Sequence, residues 1–188
     1  MTEDTRDLIY SESDAHEMKS IFDCWREALR KFFDTSGRTT RYEFWAFQTV
    51  SLFIFLLASF IGFVFDAYQV VFEIFALYFL APAVAISIRR LHDIGLAGHW
   101  AIPMAVLGIF LLLNSELNLT DMTLPVFFSM VYMSYLYWIL SADGDKEANI
   151  YGARVHEPQI YNTDSRVFMI FMTVFWCVLW LIFLMKID

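Results

Sequence analysis

Nine side chains have the types and spacing to do chemistry: Arg38, Arg41, Glu43, Arg89, Arg90, His92, Asp93, Asn149 and Tyr151. They fall in three short polar segments. Gly37-Arg38-Thr39-Thr40-Arg41-Tyr42-Glu43-Phe44-Trp45 leads into an apolar run. Arg89-Arg90-Leu91-His92-Asp93-Ile94-Gly95-Leu96-Ala97-Gly98-His99-Trp100 joins two more. Asp143-Gly144-Asp145-Lys146-Glu147-Ala148-Asn149-Ile150-Tyr151-Gly152 follows a fourth. Four guanidiniums gathered in one place suit an oxyanion such as a lipid phosphate, because each planar fork binds two oxygens at once. The same residues also permit a purely structural reading. Arg89 and Arg90 at a helix C-terminus are favoured by the helix dipole. Glu43 and Asp93 could pair with the arginines and lock helices together, and Gly95 and Gly98 could serve a tight turn.

Metal and acid–base chemistry find less support. His92 and Asp93 are adjacent, and neighbours on a helix do not share a face. His99, Asp143 and Asp145 add no metal-ligand spacing, and Cys24 and Cys177 are too isolated to form a site. The segment from Asp143 has the alternating acids of a calcium loop. However, Ala148 stands where that loop needs glycine, and Arg154 where it needs a bidentate glutamate. No metal, cofactor or catalytic residue is therefore expected.

The elements that must hold these residues are apolar helices. Of 188 residues 59% are hydrophobic and 18% charged, against about half and a quarter in an ordinary soluble domain. The apolar residues form five runs: Phe44 to Phe65, Val70 to Ile88, Trp100 to Leu113 continuing towards Leu119, Leu124 to Leu140, and Val167 to Met185. A helix needs about 20 residues to cross a hydrocarbon core of about 30 Å. The first, second and fifth runs suffice alone; the third and fourth fit a hairpin within a bundle. Pro103 and Pro125 fit first turns, and Pro82 should kink the second helix. Trp45, Trp100 and Trp138 fit interfacial anchors. Ahead of the runs, Ile21, Phe22, Trp25, Ala28, Leu29, Phe32 and Phe33 recur at helical spacing. Lys19, Asp23, Arg26, Glu27, Arg30 and Lys31 fill the other side. This is an amphipathic helix, expected either to lie in the membrane interface or to pack on the protein's own loops.

Charge sets the expected orientation. Of thirteen basic residues only Lys186 falls outside the segments assigned to one side, and the segments Asp66 to Gln69 and Asn114 to Thr123 carry none. The positive-inside rule then places the N-terminus, Arg89 to His99 and Ser141 to Arg166 in the cytoplasm and the C-terminus outside. Residues 1–17 carry six carboxylates against Arg6, within a net charge of −8. They are expected to be an unstructured acidic tail, and no nucleic-acid partner is expected. Ionisable residues inside the runs are limited to Glu73, near an outer end, which argues against a charged ion pathway.

The three polar segments resemble the bacterial inner-membrane proteins of domain-of-unknown-function family 805. Gly37, Arg38, Arg41, Glu43, Phe44 and Trp45 match that family's entry motif. Arg89 to Asp93, Gly95, Gly98 and Trp100 match its centre, and Asn149, Tyr151 and Gly152 its exit. His99 departs from the pattern, where the family usually has a tryptophan, and the fifth run lies beyond its usual four-helix unit. The resemblance implies a membrane fold and no established reaction. The expected fold class is all-α, a polytopic transmembrane bundle. It comprises an acidic tail (1–17), an amphipathic interfacial helix (18–35), a four-helix membrane domain (36–157) and an additional span (158–188). The expected location is a bacterial inner membrane. The expected function is noncatalytic binding, at the cytoplasmic face, of membrane lipid (anionic headgroups included), of a protein partner or of a second copy. A small transporter or oligomeric pore is the second reading, and an enzyme using His92 and Asp93 on a membrane substrate the third.

Overall fold

In the computed structural model the described residues are 19–113 and 119–155, and they form an all-α protein of five α-helices. The acidic tail, the run from Val167 to Met185 and the connection through residues 114–118 lie outside them. Helix α1 (Ile21–Arg30) starts at Ser20, whose hydroxyl accepts from the Asp23 amide at 3.1 Å. Helix α2 (Arg41–Val64) starts with a reciprocal cap. The Thr40 hydroxyl accepts from the Glu43 amide at 3.1 Å, and the Glu43 carboxylate accepts from the Thr40 amide at 3.3 Å. After a turn at Asp66, helix α3 (Tyr68–Asp93) runs back with Pro82 inside it. It stops at Gly95, whose φ of +73° suits a residue without a Cβ. A 3₁₀ turn (Gly98–Ala101) leads into the 12-residue α4 (Ile102–Leu113), and α5 (Leu119–Leu140) completes the set.

Among the described residues two stretches are long and apolar enough to cross a membrane: Arg41–Val64, and Glu73–Asp93 within α3. Gly98–Phe110 and Val131–Leu140 are shorter apolar helical stretches. The α2–α3 hairpin is unevenly buried. Near its turn, Phe60, Phe63, Val64 and Phe65 are exposed. Near its other end, Phe44, Trp45, Phe47, Ile86 and Leu91 pack with Ala101, Leu136 and Leu140 in the core. A water-soluble protein would hide those phenylalanines; a lipid solvent would not require it.

Several expectations need correction. Helix α5 begins at Leu119, so Pro125 lies beyond its first turn. Trp45 is only 2% exposed, packed against Phe44 and Tyr137, and is not an interfacial anchor. Trp100 and Trp138 are exposed, as anchors should be. Helix α1 packs against α2 and α3. The Trp25 indole donates to the Ser51 hydroxyl at 3.2 Å, and its ring lies 6.5 Å from that of Phe79; Phe32 meets Tyr78 at 6.0 Å. Ser51 is about 15 Å along α2 from Arg41 at 1.5 Å per residue. The helix's bulky face is therefore applied to the sides of the two spans.

Candidate functional site

The three polar segments meet at the buried end of the hairpin, where they form a knot around Asp93. The side chain of Arg38, 1% exposed, gives its Nε–H to Asp93 Oδ1 at 2.9 Å. Its two terminal nitrogens donate to the carbonyls of Glu147 (2.8 Å), Gly152 (3.4 Å), Asp145 (2.7 Å) and Asp93 (3.4 Å). A guanidinium has five N–H groups, and these five contacts use them all. Arg90 is buried one helical turn before Asp93. It donates to Asp93 Oδ2, to the Ala142 carbonyl, and from Nε to the Leu140 carbonyl at 2.9 Å. One carboxylate thus serves two buried arginines, and the backbone after α5 wraps around both.

The exit segment closes the knot. The Asp145 amide donates to the Asp93 carbonyl at 2.8 Å, and Asn149 Nδ2 donates to the His92 carbonyl at 2.9 Å and to Asp145 Oδ2 at 2.8 Å. The His92 ring stacks on Tyr151 with centroids 3.8 Å apart and planes 3° apart. His92 Nδ1 lies 3.2 Å from the Gly37 carbonyl, which can only accept, so this nitrogen carries a proton. Gly144 is needed where the loop crosses Asp93: an added Cβ would strike the carboxylate. His92 and Asp93 do face different partners. Both Asp93 oxygens are engaged by arginines, so the geometry gives an acid–base pair no support. Among the described residues no group of His, Cys, Asp and Glu could hold a metal ion.

The other nominated residues separate from the knot. Arg41 pairs with the exposed Asp143 at 2.9 Å and reaches the Ser141 carbonyl at 3.4 Å. Glu43 does not pair with the arginine cluster. It caps α2 and accepts from Lys19 Nζ at 3.3 Å, because the first turn of α2 faces α1.

Arg89 behaves differently from its neighbour. It is 3% exposed. Among the described residues its Nε has no hydrogen-bond partner and its guanidinium makes no ion pair. Asp34, Glu43 and Glu27 act on it only through space. Successive helix residues are about 100° apart. Arg90 therefore turns to the knot while Arg89 turns to a cleft of about 220 Å³ under α1. Lys19, Glu27, Lys31 and Glu43 also line that cleft, with Cys24 at its wall. Glu27 holds Lys19 at 2.6 Å and Lys31 at 2.9 Å. The hydrogen bond from Lys19, then that from Lys31, depresses the Glu27 carboxyl to about 2. The bond to Glu27 in turn raises Lys19 above the usual lysine range. Burial pushes the Cys24 thiol up to about 11, so it stays protonated. The sequence places Lys19, Glu27 and Lys31 on the charged side of the amphipathic helix. The i,i+4 spacing of Glu27 and Lys31 was the visible signal, but it does not say what that face covers.

No curated protein and no solved structure matches the chain. The model of one family does, over residues 32–153, which contain all three knotted segments and Arg89. On that match, which covers well over half its length, the chain belongs to DUF805, described as a protein of unknown function.

Proposed function

We propose that this protein is a noncatalytic membrane module that binds a phosphate-bearing lipid headgroup at its cytoplasmic face, in the cleft beneath α1. Arg89 carries this reading. Its Nε is buried with no hydrogen-bond partner among the described residues while the side chain lines the cleft, and an oxyanion is the group that satisfies a guanidinium fork bidentately. Helix α1 favours lipid as the source. It is applied to the sides of the two apolar spans, and its exposed Ile21 and Phe22, with Phe33 just beyond its end, extend apolar surface beside the cleft. The positive-inside asymmetry supports the cytoplasmic side, where anionic lipid attracts basic groups. Of the four nominated arginines, Arg38 and Arg90 hold the fold and Arg41 is held by Asp143; Arg89 is the one aimed at a ligand.

The test is native mass spectrometry of the full chain in phosphatidylcholine nanodiscs containing phosphatidylglycerol, with inorganic phosphate as a separate arm. Phosphatidylglycerol should be retained by the native chain. Arg89→Gln should weaken retention on the order of tenfold, the value of a charge-assisted hydrogen bond. Arg89→Lys should restore only part, since an ammonium lacks the fork. Millimolar phosphate displacing the lipid completely would assign the site to a free anion. Equal retention by native chain and Arg89→Gln would overturn the site.

A further inference from the structure

The cleft that binds phosphate in this reading also contains two fixed negative charges, and their number bears on which phosphates it accepts. Lys19, Lys31 and Arg89 bring three positive charges to its lining, and Glu27 and Glu43 bring two negative ones. The remaining cation there, Arg38, has no donor left for a ligand, because Asp93 and backbone carbonyls take all five of its N–H groups. Asp34 lies outside the lining and is fully exposed, where water screens it. Among the described lining residues Arg89 is thus the cation with donors left for a ligand. Glu27 sits between Lys19 and Lys31, its two oxygens taking one ammonium each. It engages both ammoniums that a second phosphate charge would need.

We propose that the cleft selects singly charged phosphodiester headgroups over doubly charged phosphomonoesters, with Glu27 as the residue that sets this preference. This rests on the headgroup site proposed above. A phosphodiester carries one charge at any physiological pH. It would neutralise Arg89 and leave the Lys19–Glu27–Lys31 bridge intact. A phosphomonoester loses its second proton near pH 6. Above that pH its extra charge faces Glu27 and Glu43 across a half-enclosed space, with no unmatched cation to receive it. Glu27 remains ionised throughout, since its two lysine partners hold it far below that range. The groups facing the ligand are Lys19, Cys24, Glu27 and Lys31 from the α1 segment, Arg38 and Glu43 from the start of α2, and Arg89 from α3. Among the described residues that line the cleft there is no histidine, and Cys24 titrates only at about 11. The proton that changes selectivity near neutrality is therefore the ligand's own.

The experiment compares phosphatidylglycerol with phosphatidic acid in phosphatidylcholine nanodiscs, read by native mass spectrometry of the full chain at pH 5.5 and pH 8. The native chain should prefer phosphatidylglycerol on the order of tenfold at pH 8, as expected for one extra like-charge contact in a partly screened site. The preference should shrink at pH 5.5, where both headgroups carry one charge. Glu27→Gln frees Lys31, leaves Lys19 to Glu43 alone and removes one negative charge, so at pH 8 it should retain phosphatidic acid at least as well as phosphatidylglycerol. Glu27→Asp, which keeps the charge, should behave as the native chain. If Glu27→Gln unseats α1, the pH comparison on the unaltered protein decides alone. Equal retention of the two lipids by the native chain at pH 8, or a preference independent of pH, would refute the selectivity. If Arg89→Gln still abolished retention in that case, the headgroup site would stand without it. If Arg89→Gln changed nothing, both would fall.

Discussion

At the scale of single residues, two adjacent arginines of α3 have opposite relations to the fold. Arg90 is enclosed with its Asp93 partner, whereas Arg89 is enclosed with no ion-pair partner among the described residues. Their substitutions should diverge accordingly. Asp93→Asn leaves Arg38 and Arg90 buried around a neutral amide, and should destabilise by about 3–5 kcal/mol, read as a large drop in melting temperature in detergent. Arg89→Gln removes a charge that no described side chain pairs, so in lipid-free detergent it should melt no lower than the native chain. A marked loss of stability there would mean that Arg89 has a structural partner after all. The sequence made part of this legible. Arg90 and Asp93 at i,i+3 share a helix face, so an ion pair between them follows from spacing. The isolation of Arg89 does not, because adjacency gives the angle between two side chains but not what each one meets. Glu43 misled for a related reason: it could cap its own helix or reach an arginine, and the capping threonine three residues earlier decided the matter.

At the scale of elements, α1 and the loop after α5 show how much placement depends on tertiary contacts. The apolar period over residues 21–33 established an amphipathic helix but not its neighbours. Its location follows from Trp25, which finds an acceptor in Ser51 within an otherwise apolar stretch of α2. Trp25→Phe should loosen α1 by about 1 kcal/mol, one net hydrogen bond, and raise protease cleavage near residue 34. Acid should loosen it too. The Glu27 carboxyl is lowered from 4.5 to about 2 in the folded protein. Its contribution is therefore complete above pH 4.5 and is lost as pH falls through 2. The contribution is a modest one, because the side chain is about a third exposed. At the opposite end of the site, Gly144→Ala forces a methyl into the Asp93 carboxylate. It should cost about 1–3 kcal/mol, the usual penalty of overpacking, measured as thermal destabilisation in detergent. If it melted like the native chain, the loop would not cross Asp93 as described.

At the scale of the whole molecule, the all-α class and the two candidate spans were readable from run length and low charge, and the meeting of the three motifs from their placement at the ends of successive runs. Boundaries of the shorter helices were not. Apolar runs mark what can be buried, and α5 begins five residues before its run, at Leu119. The proposed orientation has a direct check. With Cys24 and Cys177 replaced by serine, a cysteine at Asp66 should react with an impermeant reagent added outside intact cells. One at Ala148 should react only after the membrane is opened. Both positions are exposed, so access alone decides the outcome. Labelling of both from outside would reverse the assignment.

The knot also constrains the order of biosynthesis. Arg38 takes acceptors 109 and 114 residues further along the chain, and Arg90 takes two that lie 50 and 52 residues ahead. During translation, α2 and α3 are complete while both guanidiniums still lack most of their carbonyl cage. Until residues 140–152 emerge from the ribosome, water must solvate those charges. The clasp is thus the last piece of the motif-bearing unit able to form. A nascent chain halted before Asp145 would display an open, basic, half-built cage, which distinguishes unfinished copies from finished ones.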